Sequence, residues 1–110
     1  MHNSILFIIF FGAYLVGQPS FTENTISTNA DDAMSVYAVD VDGDGDMDVL
    51  SASNEDDKIA WYENDGSGSF TEYIITTGAD GARSVYAVDV DGDGDIDVLS
   101  ASGVDDKIAW

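Results

Sequence analysis

The sequence predicts an all-β fold built from β-propeller blades of four antiparallel strands. Three observations carry that reading. At an offset of 49, 33 of the 42 positions from Ser20 to Trp61 are identical in Ser69 to Trp110, and periods of roughly 20 to 50 residues mark solenoids, propellers and arrays. Each unit holds short runs rich in β-branched and aromatic residues, divided by Gly- and Asp-rich turns, which read as about four strands per period. In the first run of each unit, Tyr37 and Val39 alternate with Val36 and Ala38, so both faces are apolar, as in a sheet stacked between neighbours.

In chain order, Ile5 to Val16 is nearly continuous apolar sequence, broken only by Gly12 and followed by Gly17, Gln18, Pro19 and Ser20. A membrane span wants roughly 20 apolar residues. The shorter run fits a secretory signal peptide over residues 1–20, which implies a secreted or cell-surface protein with no membrane span in its mature chain. The repeat region covers 21–110. Phe21 to Ile26 (FTENTI) matches Phe70 to Ile75 (FTEYII) and is expected to be an orphan last strand. Repeat one, 30–77, holds strands at Ser35 to Val41, Asp48 to Ser53, Lys58 to Asn64 and Phe70 to Ile75, with a hairpin turn at Asp65 to Ser69. Repeat two, 79–110, is incomplete, because Trp110 matches Trp61 in mid-strand. We expect the sequence to be about two blades of a larger ring, with further repeats of the same chain beyond it.

Composition narrows the chemistry. Among 110 residues, 22 Asp and Glu face 3 Lys and Arg, for a formal net charge of −19. Nucleic acid is excluded as a partner, because phosphate contacts need cations. Cys is absent, so disulfides and thiolate zinc sites are excluded. The lone His is His2, so no Ser-His-Asp triad can be built in the repeats. No catalytic residue is expected.

The acids are concentrated. Ten of the 22 lie in two nine-residue loops: Asp40, Asp42, Asp44, Asp46 and Asp48, then Asp89, Asp91, Asp93, Asp95 and Asp97. The spacing is that of a calcium loop, D-x-D-x-D-G-x-x-D. Positions 1, 3, 5 and 9 offer carboxylates, Gly45 or Gly94 makes the sharp turn, and Asp46 or Asp95 would ligate through its backbone carbonyl. Calcium accepts six to eight oxygen ligands in flexible geometry, while magnesium demands a tighter octahedron. Two Ca2+ ions are expected, one per loop. The flanks are strands and position 12 is Ser51 or Ser100, so neither loop is a helix-loop-helix calcium site.

Other candidates have plainer readings. Asp56-Asp57 and Asp105-Asp106 read as solvated turns. Trp61, Tyr62 and Trp110 read as inter-blade core rather than a sugar platform. Glu63 and Glu72 make a weak glycosidase pair. Lys58 and Lys107 read as guards of strand ends.

The run SVYAVDVDGDGDMDVLSAS, followed by KIAWYENDGSGSFT, resembles the FG-GAP and VCBS-type repeats of integrin-alpha-like β-propellers. The resemblance covers Ser20 to Trp110, although the literal FG-GAP tetrad is absent. It implies a ring of seven blades in most members, a calcium loop in a hairpin of each blade, and a non-catalytic role in binding proteins or glycans. The alternative is an accessory propeller scaffold of a secreted hydrolase or lyase whose catalytic domain lies outside this sequence.

Overall fold

The computed structural model describes residues 17–110. Residues 1–16, the greater part of the expected signal peptide, lie outside them. Seven strands form: β1 (Ala33–Val39), β2 (Asp48–Ser53), β3 (Lys58–Asn64), β4 (Phe70–Thr76), β5 (Ala82–Val88), β6 (Asp97–Ser102) and β7 (Lys107–Ala109). They make two antiparallel sheets, ordered β1-β2-β3-β4 and β5-β6-β7. Both sheets are meanders of neighbouring hairpins, the connectivity of a propeller blade. No helix occurs among the described residues, and none of their segments is a helix long and apolar enough to cross a membrane.

The sheets stack through one apolar core. The first contributes Leu50, Ala52 and Ile59, with Tyr37, Val39 and Trp61 half-buried beside them. The second contributes Ala79, Ala82, Val85 and Ala87, with Ile96 and Val98. Leu50 is paired with Tyr37 and with Trp61 across the sheet, so these side chains share one face, as strand alternation requires. The Tyr37 and Tyr86 rings meet at 4.7 Å and 53°, a tilted contact of the favourable kind. Trp61 packs against this core as the inter-blade reading expects; Tyr62 is buried on the opposite face of the sheet, its hydroxyl accepting from Ser51, and Trp110 is 67% exposed.

Two strand expectations are corrected. The first strand runs Ala33–Val39 rather than Ser35 to Val41. The chain leaves the sheet at Asp40 because the Asp40 carboxylate collects the N–H groups of Gly43 and Gly45, and the Val41 N–H turns to Asp48. Val41 has strand propensity, but its donor has a better partner in the loop. Phe21 to Ile26 forms no strand, and Phe21 is fully in solvent. A strand needs an edge to bond. Phe70–Thr76 has the edge of β3, and its copy ahead of β1 meets none among the described residues.

The lysines differ from expectation too. Lys58 is 5% exposed along its side chain, and its ammonium donates to the Asn29 carbonyl and to Glu72 at 3.0 Å, with Asp56 at 3.4 Å. It is an internal clamp rather than a guard. Lys107 repeats the arrangement in the open, donating to the Gly78 carbonyl and pairing with Asp105. Asp56-Asp57 and Asp105-Asp106 do sit in the tight turns after β2 and β6. Asp57 and Asp106 there take positive φ of 55° and 52°, a conformation that Asp tolerates better than most residues.

Candidate metal centres in the acidic hairpin loops

Each acidic loop is folded by its own carboxylates. Asp40 accepts from the N–H groups of Gly43 and Gly45, each at 2.9 Å, and Asp89 accepts from Gly92 and Gly94, each at 2.8 Å. Asp42 accepts from the Asp44 N–H, and Asp44 from the Asp46 N–H; Asp91 and Asp93 repeat this with Asp93 and Asp95. Gly45 and Gly94 both have φ of +94°, which only glycine takes without strain.

Asp48 closes the first loop from the sheet. It is fully buried, with one oxygen accepting the Val41 N–H and the other the Asn64 N–H. Its carboxylate thus ties the start of the loop to the end of β3. Asp97 holds the Val90 N–H in the same way at 2.8 Å.

This folding gathers carboxylate oxygens. In the second loop, one oxygen from each of Asp89, Asp91, Asp93 and Asp97 lies within 4.8 Å of the others. In the first loop, Asp40, Asp42 and Asp48 form one such group, and Asp42, Asp44 and Glu63 an overlapping second. Asp46 and Asp95 send no carboxylate into these groups. Glu63 was assigned no metal role by sequence. It comes from β3, and the signal for it was the hairpin itself, because β2 and β3 pair antiparallel from Val49 and Tyr62 back to Ser53 and Lys58. The end of β3 therefore lies beside the loop. Tyr62 pairs with Glu72, so Glu63 and Glu72 point to opposite faces of the sheet and cannot flank one bond.

The electrostatics divide the acids by role. N–H bonds from Gly45, and then Gly43, hold the Asp40 carboxyl below the ordinary range, despite partial loss of water. Gly94 and Gly92 do the same for Asp89. Asp42 is pushed up by loss of water, by the neighbouring Glu63 and by the charge of Asp48. The Asp46 N–H lowers Asp44, but loss of water and the charges of Asp42 and Asp40 outweigh it, so the net shift is upward. Asp91 is raised by loss of water and by Asp97. Neighbouring carboxylates disfavour one another's ionisation by mutual repulsion. Among the described residues no lysine or arginine pairs with either loop; Lys58 and Lys107 are held at the opposite turns. The loops lie side by side across a cleft of about 230 Å³ lined by Asp40, Asp42 and Asp95.

Paired antiparallel sheets stacked face to face, each with an acidic loop in its first hairpin, define a β-propeller-like repeat protein with clusters able to hold a metal ion. More narrowly, the chain belongs to the FG-GAP-like repeat family, whose model matches residues 13–51 and 40–100. No curated protein and no solved structure matches it.

Proposed function

We propose that the chain is a calcium-binding, non-catalytic propeller segment of a secreted or cell-surface protein, whose work is to bind a protein or glycan partner. The observation that carries the metal reading is the convergence of Asp89, Asp91, Asp93 and Asp97, whose carboxylate oxygens lie within 4.8 Å of one another with no lysine or arginine paired to them. The donor set fits. It is all oxygen and mostly anionic, which suits a hard cation of flexible coordination such as calcium and is poor for zinc, which takes nitrogen and sulfur.

Asp40, Asp42, Asp44 and Asp48 would hold the ion in the first loop, with Glu63 in reach, and Asp89, Asp91, Asp93 and Asp97 in the second. Bound calcium would supply the positive charge that these carboxylates otherwise lack. Two ions would take the formal charge from −19 to −15. The chain's own part is to pre-shape the loops: Asp40 and Asp89 hold the glycine turns, while Asp48 and Asp97 fix the loop to the sheet. Family membership supports the binding role, in which calcium-stiffened hairpins present loops at one end of the blades. Calorimetric titration tests the metal reading. Two calcium ions should bind per chain, at affinities of about 10⁻⁴–10⁻³ M, as extracellular modules do, with magnesium much weaker. No heat of binding at millimolar calcium would overturn it.

A further inference from the structure

Three consecutive residues at the exit of the first acidic loop meet the start of the turn between β3 and β4. The Asp46 side chain lies against Gly66, so closely that a Cβ there would come 2.9 Å from its carboxylate oxygen. The Met47 carbonyl accepts from the Asn64 side-chain amide at 2.9 Å. Asp48 accepts from the Asn64 N–H, also at 2.9 Å. Asn64 holds the turn as well, because its side-chain oxygen accepts the Gly66 N–H at 2.9 Å. One amide side chain therefore bridges the backbone of the acidic loop and the backbone of the turn.

Beyond this bridge the turn is folded by its own residues. Asp65 accepts from the Ser67 N–H at 2.8 Å, from the Ser67 hydroxyl at 2.7 Å and from the Ser69 N–H at 3.2 Å. Its own N–H donates to the Ser69 carbonyl at 3.0 Å. These bonds stay inside the turn, so a change in the loop reaches Ser67 and Ser69 only through Asn64 and the contact of Asp46 with Gly66.

We infer that Asn64 is a positioning residue that couples the first metal loop to the β3–β4 turn, so that calcium in the loop also orders residues 64–69. The inference rests on the calcium reading above. Its physical basis is preorganisation. The bond to the Met47 carbonyl fixes the peptide that leads into Asp48, and the Asn64 N–H fixes the Asp48 carboxylate itself. Ligands held by outer hydrogen bonds bind metal more tightly, and losing such a partner typically costs about 10–100-fold in affinity. Coupling between two places in a molecule is reciprocal. An ordered turn that favours the ion is in turn favoured by it. The calcium-stiffened surface at this end of the first sheet then comprises two loops, the acidic one and Asp65–Ser69.

Amide NMR of the whole chain during a calcium titration tests this, because both loops report in one sample. The Gly45 N–H, bonded to Asp40, reads the first loop, and the Gly94 N–H, bonded to Asp89, reads the second. In the wild-type chain the Ser67 and Ser69 amides should shift with the midpoint of Gly45. They should also exchange with water several-fold more slowly in calcium than in chelator. In Asn64→Ala the Gly45 midpoint should rise about tenfold, while the Gly94 midpoint stays where it was. The calcium protection of Ser67 and Ser69 should be lost even when Gly45 is saturated. A general loss of stability would instead move both glycines together. Ser67 and Ser69 amides that ignore calcium while Gly45 titrates overturn the inference and leave the calcium reading standing. So does an Asn64→Ala chain whose Gly45 midpoint is unchanged, or whose two midpoints rise alike. If neither glycine responds to calcium, the calcium reading falls and this inference with it. Should Asn64→Ala lose its folded spectrum, Asp65→Ala decides instead, because it loosens the turn and leaves the bonds of Asn64 in place. It should raise the Gly45 midpoint and not that of Gly94, and an unchanged Gly45 midpoint overturns the inference.

Discussion

At the scale of the residue, acids of one type do three jobs. Asp40 and Asp89 are held ionised by glycine N–H groups, Asp48 and Asp97 anchor the loops to the sheets, and Asp42, Asp44 and Asp91 bear the mutual repulsion. Because the last three keep their protons to a higher pH than ordinary carboxyls, protons would compete there first with the calcium proposed above. Calcium stabilisation should shrink as pH falls from neutral toward the carboxylate range, measured as the difference in melting temperature with calcium and with chelator at each pH. Asp56 has the opposite sign. Loss of water disfavours its charge, but the Ser53 hydroxyl, the Asp31 N–H and the Lys58 ammonium prevail and hold it low. A carboxyl with a folded pKa below its unfolded value of about 3.9 contributes stability that is present above that value and lost as pH falls through the folded one. Ser53→Ala should therefore move the acid-unfolding midpoint, followed by circular dichroism, to higher pH. The five aspartates of each loop were legible from spacing alone. Glu63 was not, because it reaches the site from the neighbouring strand rather than from the spacing within the loop.

At the scale of the element, the strands were readable because each has β-branched and aromatic residues between Gly-rich turns, and because each hairpin is written twice. The errors mark where a side chain outranked propensity. Asp40 drew Val41 out of β1, and Phe21 to Ile26 copied the composition of β4 without its partner edge. The two lysines show what local sequence cannot say. Both stand in DDKIAW, yet Lys58 is 5% and Lys107 46% exposed along the side chain. Lys58→Met strands Glu72 and Asp56 and should cost about 2–3 kcal/mol in denaturant unfolding, less than a fully buried pair because both partners touch water. Lys107→Met should cost less than about 1 kcal/mol, as exposed pairs do. Equal losses would contradict the assignment of Lys58 as an internal clamp.

At the scale of the whole molecule, identical sequence meets unequal surroundings. Leu50 and Leu99 occupy equivalent positions, but only Leu50 is sealed between the sheets. Leu50→Ala should cost about 3–5 kcal/mol, as buried cavity-forming substitutions do, and Leu99→Ala less than half of that, both read from urea unfolding. The stacking of the sheets was foreseeable from apolar residues on both faces. Which face is covered was not, because the two units carry the same residues there and only the neighbour differs.

The central claim is that the two loops are calcium sites that stabilise the blades, and a thermal melt of the whole chain, with calcium and with chelator, tests it most directly. A ligand that binds only the folded state stabilises by RT ln(1 + [L]/Kd), so two sites of about 1 mM affinity at about 10 mM calcium add about 3 kcal/mol. For a domain of this size that is a rise of roughly 10 °C or more. The account predicts that rise, and its loss in the Asp44→Ala plus Asp93→Ala variant. A melting temperature indifferent to chelator would contradict it.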